Sequence, residues 1–155
     1  MILILDNIRS THNVGSIFRT ADAVGVSNLY LCGVTPDPID RFGRERSDIA
    51  KTALGAEQSV HWGHFKSTEE AITLLKEQDY TVIALEQSDN SEDYIEVAKK
   101  IDFNKTALVL GEETQGLSAD LLDLVDIIAE IPMSGEKESL NVSVAAGVAL
   151  FRFKH

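Results

Sequence analysis

The chain has 155 residues, and 44% of them are hydrophobic, which is enough for one domain whose core needs neither disulfides nor a metal ion. The formal net charge of −11 excludes strong non-specific attraction to nucleic acid as a property of the whole surface. No apolar run approaches the roughly 18 residues of a membrane span, and the short apolar N-terminus lacks the basic region of a signal peptide. We therefore expect a single cytoplasmic domain over residues 1–155.

The negative charge is unevenly distributed along the chain. Residues 1–60 carry six basic and seven acidic side chains, whereas residues 61–155 carry eight basic and eighteen acidic ones. Because salt screens charges over about 8 Å, a distant acidic surface does not prevent a local basic one from binding RNA. The candidate RNA-binding residues are Arg9, Arg19, Arg41, Arg44 and Arg46. For Arg19 taken alone, an ordinary solvated arginine is the alternative interpretation, and for the last three it is a solvated polar loop.

Short apolar runs rich in β-forming residues predict six strands. They are Ile2 to Leu5, Asn28 to Cys32, Ser59 to Trp62, Thr81 to Leu85, Thr106 to Leu110 and Asp126 to Ile131. Segments with helical spacing separate most of them, so we predict an α/β domain with a mostly parallel six-stranded sheet flanked by helices. The one cysteine, Cys32, is interpreted as a small core residue and fits a reducing compartment.

The first helix follows the first predicted strand. Its apolar stripe is formed by Val14, Ile17, Phe18, Ala21 and Val24. Asn13 is a plausible N-cap and Gly25 the predicted C-cap. Gly15, in the first turn, leaves room for another group to approach the backbone. Arg19 lies opposite the stripe and projects away from the core.

Two later helices have clear start signals. Ser67 and Glu70 match a capping box, in which a serine accepts from the third residue of the helix. Ser118 precedes another helical segment in the same way.

The last segment, residues 139–151, has two possible conformations. Its apolar residues alternate with Asn141 and Ser143 as in a strand, whereas its length and its small residues favour a helix with a cap at Ser139. A helix that is apolar on almost all sides must be buried against the core, another subunit, or both. A buried polar side chain costs about 1–3 kcal/mol unless it is hydrogen-bonded, so Asn141 should have a partner.

Ligands of open parallel α/β sheets bind beyond the carboxyl ends of the strands. Three polar segments follow predicted strands in this way, at residues 6–13, 110–117 and 131–143. The second contains Glu113 within a turn bracketed by glycines, where a carboxylate can orient a hydroxyl or a cation. The three segments are therefore the candidate site.

Several other chemistries have no matching pattern. The turn from Gly111 to Gly116 lacks the lysine and spacing of a P-loop, so nucleotide hydrolysis is not predicted. The four histidines and the lone cysteine do not have the spacing of a zinc site, so no metal is predicted. No serine lies in a Gly-x-Ser-x-Gly elbow.

Taken together and in this order, the three segments resemble the signature motifs of the SpoU/TrmH family of knotted, SPOUT-class RNA methyltransferases. The matching stretches are residues 13–21 (NVGSIFRTA), residues 110–118 (LGEETQGLS), and residues 131–133 (IPM) with residues 139–143 (SLNVS). Residues 53–57 (ALGAE) also look familiar for this family. The resemblance covers essentially the whole chain, which is expected to be a catalytic domain without an RNA-binding extension.

The resemblance implies a parallel sheet with a C-terminal trefoil knot, a homodimer formed through the C-terminal helix, and S-adenosylmethionine as methyl donor. The implied reaction is methylation of a ribose 2′-hydroxyl in tRNA or rRNA, with neither DNA nor a membrane as partner. In this family the donor lies largely on backbone groups of the second and third motifs. The corresponding residues here are Leu110, Gly111, Ile131, Met133, Ser139 and Leu140.

Four residues acquire catalytic roles from the resemblance: Arg19, Asn13, Glu113 and Asn141. Arg19 is the family's catalytic position, but a guanidinium stays protonated in proteins. We therefore expect it to hold an RNA phosphate or the ribose while a phosphate or water takes the proton. Asn13 and Asn141 would orient Arg19 or the ribose, and Glu113 would support them, while Ser139 would fix the donor loop.

Two rival functions stay open from the sequence. The chain could be a non-catalytic RNA- or partner-binding module that retains the fold, or an enzyme that methylates a base instead of a ribose. Donor affinity separates the first rival from an enzyme, and mass spectrometry of the methylated nucleoside identifies the second. In a dimer, Arg9, Arg41, Arg44 and Arg46 of one subunit could line the cleft of the other.

Overall fold

Seven strands form one parallel sheet through the middle of the molecule. In the computed structural model, which describes residues 1–155, the strands are β1 Ile2–Asp6, β2 Asn28–Cys32, β3 His61–Phe65, β4 Thr81–Leu85, β5 Glu92–Asp93, β6 Thr106–Gly111 and β7 Ile127–Glu130. Their order across the sheet is β3-β2-β1-β6-β4-β7-β5, and every neighbouring pair is parallel. The predicted α/β class is confirmed.

The predicted number of six strands is wrong, because the sheet has a seventh, β5. This strand consists of Glu92 and Asp93, two acidic residues of low β-propensity that pair with β7 at the sheet edge. The third predicted strand is also displaced. Ser59 belongs to a short helix, and β3 begins at His61, where its backbone pairs with β2. Both differences arise from strand pairing, which local propensity does not report.

Seven α-helices and one 3₁₀ turn complete the fold. The helices are α1 Thr11–Val24, α2 Ser47–Ala53, α3 Ala56–Ser59, α4 Thr68–Glu77, α5 Tyr94–Ala98, α6 Ala119–Leu124 and α7 Val142–Lys154, and the 3₁₀ turn is Phe103–Lys105. Gly25 caps α1 in the left-handed conformation, and Ser67 and Ser118 accept the backbone N–H of the third residue of their helices. These three caps match the prediction.

Two predicted N-caps are wrong. Ser10, not Asn13, caps α1, and its hydroxyl accepts the N–H of Asn13 at 3.2 Å. Asn141, not Ser139, caps α7, which settles the last segment as a helix. In both cases residue type alone points to the wrong residue, because the position at which the helix begins decides which backbone N–H groups are free and within reach of a side chain.

Side chains from both faces of the sheet form the core. Along β1, Leu3 and Leu5 pack in the larger cluster with α1 and α7, while Ile2 and Ile4 pack in the smaller one with α4 and α6. Alternating residues of a strand point to opposite faces, so a fully apolar strand indicates that both faces are covered. Cys32 is completely buried, and burial raises the pKa of its thiol to about 12, as expected of an inert core residue.

The strand order brings the three candidate segments to one edge. The sheet grows outward from β1 through β2 to β3, and in the other direction from β6 through β4 to β7. The chain therefore reverses its direction of winding between β1 and β6, which is where open sheets bind ligands. No helix is long and apolar enough to cross a membrane. The trefoil knot stays a prediction.

Candidate active site

A cavity of about 250 Å³ lies at the carboxyl ends of β4, β6 and β7. All six residues predicted to hold a donor line it: Leu110, Gly111, Ile131, Met133, Ser139 and Leu140. Glu113, Val142 and Ala145 also contribute to its wall. The lining combines apolar side chains with carboxylate and hydroxyl groups, a combination typical of sites for amphipathic small molecules.

Two further residues of the cavity, Glu86 and Gln87, follow β4 and were missed by sequence reasoning. The Gln87 amide donates to the carbonyl of Glu138 at 2.7 Å and so ties the loop before α7 to the sheet edge. Glu86 accepts the backbone N–H of Leu117 at 3.0 Å. The signal that could have found both residues is the end of a strand adjacent to β6 at the same edge of a parallel sheet.

Two glycines shape the turn that walls the cavity. A Cβ at Gly111 would lie 2.9 Å from the carbonyl carbon of Gly116, so only glycine fits between the strand and the turn. Gly116 has φ +63°, and a side chain there would also collide with the carboxylate of Glu86. The turn is thus closed by its own backbone and by Glu86.

At the rim of the cavity, three polar side chains from the three separate segments are hydrogen-bonded to one another. The Asn141 amide donates to Asn13 Oδ1 at 3.2 Å and to Glu113 Oε1 at 3.4 Å. The Asn13 amide also donates to Glu113 Oε1. We call Asn13, Glu113 and Asn141 the polar triad. Asn141 therefore has the hydrogen-bond partners that were expected, although its side chain is exposed and not buried as the apolar segment around it suggested.

The other end of the Asn141 side chain holds the start of α7. Its Oδ1 accepts the backbone N–H of Ser143 at 2.9 Å and the Ser143 hydroxyl at 2.6 Å. One amide thus caps a helix with its oxygen and joins the triad with its nitrogen. Its position is fixed from both sides, as a group that orients a reactant requires.

Arg19 lies away from the polar triad within the single chain. It is six residues beyond Asn13, about 9 Å along the axis of α1, and on a different face of that helix. Its exposed side chain borders a shallow depression shared with Leu54 and Phe151. One chain therefore assembles three of the four predicted catalytic residues, and Arg19 is the one left out.

Of the four other candidate RNA-binding arginines, Arg9, Arg41 and Arg44 are exposed and Arg46 is half-buried. Arg9 borders a depression that it shares with Glu113. Arg44 pairs with Asp40 and Arg46 with Asp48, both at 3.0 Å, and Arg41 makes no ion pair. The loop that carries the last three is therefore an ordered arrangement of paired charges with one free guanidinium.

A buried carboxyl, to which the sequence assigned no role, lies at the end of β1. Asp6 accepts the Thr68 hydroxyl at 2.5 Å and the Asn7 amide at 3.3 Å, and burial raises its pKa. It lines a polar cavity of about 410 Å³ with Arg9 and Lys66, next to the turn that walls the first cavity. Nowhere do three or more His, Cys, Asp or Glu side chains form a group that could hold a metal ion.

The comparisons with known proteins point to one family. The sequence matches the SpoU rRNA Methylase family over residues 1–151. It is 36% identical to a tRNA (guanosine(18)-2′-O)-methyltransferase of Thermus thermophilus over 97% of this chain and 72% of that one. It is 35% identical to a 23S rRNA (guanosine-2′-O-)-methyltransferase of Xylella fastidiosa over 97% of this chain and 57% of that one.

A solved structure agrees with these sequence relatives. An rRNA methyltransferase of Sinorhizobium meliloti with AdoMet bound superposes with a TM-score of 0.85 and 30% identity, over 99% of this chain and 55% of that one. The chain thus spans little more than half the length of several relatives that it matches. Because the family match extends over nearly every residue and includes the segments that form the cavity and the triad, the chain belongs to the SpoU rRNA methylase family.

Proposed function

We propose that this protein transfers a methyl group from S-adenosylmethionine to the 2′-hydroxyl of a ribose in tRNA or rRNA. The observation that carries the proposal is the polar triad at the rim of the donor cavity, since it joins three segments that are far apart in sequence. The printed names of the relatives describe 2′-O-methylation of tRNA and rRNA by those proteins.

The cavity residues fit the proposed donor. Apolar walls from Leu110, Ile131 and Leu140 suit a flat base, and the polar wall formed by residues 112–116 suits a charged tail. The absence of a side chain at Gly111 leaves backbone groups accessible there. When bound, S-adenosylmethionine supplies an activated methyl group on a sulfonium. We propose that Leu110, Gly111, Ile131, Met133, Ser139 and Leu140 hold it.

The polar triad has the chemistry to position a ribose. In the reaction the hydroxyl oxygen forms a bond to the methyl carbon, the carbon–sulfur bond breaks, and the hydroxyl proton leaves. Glu113 Oε1 already accepts two amide donors, so this oxygen is better suited to holding Asn13 and Asn141 in place than to removing a proton. The proposed role of the triad is therefore orientation of the hydroxyl, with a phosphate or water as proton acceptor.

A homodimer through α7 is part of the proposal. Val144, Val148 and Phe151 are 51%, 37% and 48% exposed and recur at the spacing of one helix face, while the opposite face is buried in the core. An apolar face of this kind is typical of a subunit interface. Because Arg19 borders the same surface as Phe151, dimerisation would bring Arg19 of one protomer towards the site of its partner.

The dimer can be tested by sedimentation and by mixing variants. We expect a dimer at micromolar concentration and a monomer for Val148→Asp, because a buried unpaired charge destabilises an interface. If Arg19 acts across the interface, co-expressed Arg19→Ala and Asn141→Ala chains form mixed dimers with one complete site and recover activity. A monomeric wild-type protein, or inactive mixed dimers, would contradict this arrangement.

The proposed RNA contacts are Arg9, Arg19, Arg41, Arg44 and Arg46. Arg9, Arg19, Arg41 and Arg44 are exposed and Arg46 is half-buried, and their guanidinium groups can pair with phosphates, which fix the position of the RNA. The proposed location is the cytoplasm, where a buried thiol such as that of Cys32 stays reduced.

The reaction is tested by incubating the protein with bulk tRNA or rRNA and isotopically labelled S-adenosylmethionine. Nuclease digestion and mass spectrometry should then detect a labelled 2′-O-methylnucleoside. Calorimetry should show donor binding that persists in Arg19→Ala while methyl transfer is lost. A label on a nucleobase, or binding of RNA without any donor binding, would overturn the proposed function.

A further inference from the structure

An exposed aromatic ring stands at the tip of the loop that follows β2. Phe42 is 66% exposed, more than any other large apolar side chain of the protein. A single exposed apolar residue needs no explanation by itself. The setting of this one is unusual, because the backbone beneath it is ordered and the groups around it are charged.

The turn that carries Phe42 is held by one carboxylate. Asp40 Oδ1 accepts the backbone N–H groups of Phe42 at 2.8 Å and of Arg44 at 3.0 Å. The backbone N–H of Asp40 donates to the carbonyl of Arg44 at 2.8 Å. Ile39 and Glu45 pair as an antiparallel bridge below the tip. The ring is therefore presented on a pre-formed turn, and a ligand would not have to order the loop.

Two guanidinium groups lie close to the ring. The Cζ atoms of Arg41 and Arg44 lie 4.8 Å and 5.0 Å from its centroid, within the range of cation–π contacts. Arg44 is neutralised by Asp40, whereas Arg41 has no carboxylate partner. Glu45 is the other unpaired charge of the turn and lies at its base, beside the bridge and not at the tip.

The turn lies at the edge of the sheet that carries the donor cavity. The Thr35 hydroxyl accepts the N–H of Ile8 and donates to the carbonyl of Leu5, both at 3.0 Å, which fixes the loop to the end of β1. Only β1 separates β2 from β6, so the loop leaves the sheet about 10 Å from the strand that enters the cavity. RNA placed at the cavity would pass close to this loop.

We propose that Phe42 is a stacking platform for an unpaired nucleobase of the RNA, with Arg41 contacting an adjacent phosphate. This inference rests on the proposed function, because it takes RNA as the substrate. An unpaired base has a flat face for the ring, and its phosphate complements the free guanidinium. A protein partner fits less well, because the ring is surrounded by two guanidinium groups instead of a continuous apolar patch.

The test compares Phe42→Leu with Phe42→Tyr, which keeps the ring. The probe is a short unstructured oligoribonucleotide that contains 2-aminopurine, whose fluorescence reports stacking. We expect Phe42→Leu to weaken binding by about 5- to 100-fold and to abolish the fluorescence change, while Phe42→Tyr stays within about 2-fold of wild type. In Arg41→Ala, the slope of the logarithm of the binding constant against the logarithm of the salt concentration should fall by the amount expected for about one phosphate contact.

Methyl-transfer kinetics and donor calorimetry complete the test. Phe42→Leu should raise KM for RNA and leave both kcat and the donor Kd unchanged. Unchanged RNA binding in Phe42→Leu would overturn the proposal. A weakened donor affinity in this variant would also overturn it, and so would dissociation of the dimer with RNA affinity retained. Phe42-dependent RNA binding in a protein that binds no donor would support the stacking platform and overturn the proposed methyl transfer.

Discussion

The polar triad and the Phe42 turn are held together in opposite ways. The triad joins Asn13 to Glu113 and Asn141, residues that are 100 and 128 positions away along the chain. The turn is held by Asp40 through bonds to residues two and four positions away. The triad therefore depends on the packing of the whole domain, whereas the turn depends on its own sequence.

The largest effect should follow removal of the triad amide in Asn141→Ala. We expect methyl transfer to fall by about 100-fold or more, because a small misplacement of a reacting group has a cost of this size. Loss of the cap should also lower the free energy of unfolding by about 0.5–2 kcal/mol. Single-turnover kinetics and urea unfolding measure the two effects separately.

The matched control for this variant is Asp93→Ala. Asp93 caps α5 by accepting the N–H of Ile95 at 2.8 Å and does not line the cavity. The Asp93→Ala variant should lower the free energy of unfolding by a similar amount and leave methyl transfer unchanged. Equal losses of activity in the two variants would mean that Asn141 acts through helix stability alone.

The next effect concerns the packing that positions Asn13. A Cβ in Gly15→Ala would collide with the carbonyl of Ile49 and lie 3.1 Å from the backbone nitrogen of Ala53, so α1 and α2 would have to separate. We expect a loss of about 1–3 kcal/mol in the free energy of unfolding, measured by urea denaturation. Gly147→Ala is the control, because its Cβ would meet only Thr20 at 3.7 Å and should not destabilise α7.

A smaller effect is expected from the hydrogen bond between Gln87 and the loop before α7. Gln87→Ala removes the 2.7 Å bond to the carbonyl of Glu138, and one hydrogen bond is worth about 0.5–1.5 kcal/mol. The Kd for S-adenosylmethionine should rise by about 2- to 10-fold in calorimetry. Gln58→Ala, an exposed glutamine of α3, should not change it. An unchanged Kd in Gln87→Ala would show that donor binding does not depend on the hydrogen bond between Gln87 and this loop.

The smallest effect is a pH dependence in the turn. The backbone N–H of Arg44, with that of Phe42 and the Arg44 guanidinium, holds the pKa of Asp40 below its ordinary value. Because the folded pKa is the lower one, the stabilisation is complete above about pH 4 and is lost as the pH falls through the folded pKa.

Urea unfolding of Asp40→Asn tests this dependence. The variant should be slightly less stable than wild type at pH 7, and the difference should shrink below about pH 4. Asp89→Asn, which removes an exposed carboxylate without a hydrogen bond or ion pair, should show no such difference at either pH. A difference in stability between Asp40→Asn and wild type that persists below about pH 4 would mean that the carboxylate does not hold the turn.

Much of this protein could be predicted from local patterns. The helix caps at Ser67, Ser118 and Gly25 depend on the residues beside them, and the apolar runs of the longer strands are enough to predict those strands. The two acidic residues of β5 carry no such signal, because their pairing with β7 alone makes them a strand.

The candidate site divides in the same way. The α/β class, the motifs and the polar segments that follow the strands can be read from the sequence alone, because hydrophobic periodicity and turn chemistry act over a few residues. The contacts of Asn141 with Asn13 and Glu113, the bond from Gln87 to the loop before α7, and the separate position of Arg19 are visible only in the folded structure. These outcomes depend on strand order and helix packing, which set distances between residues that are far apart in the chain.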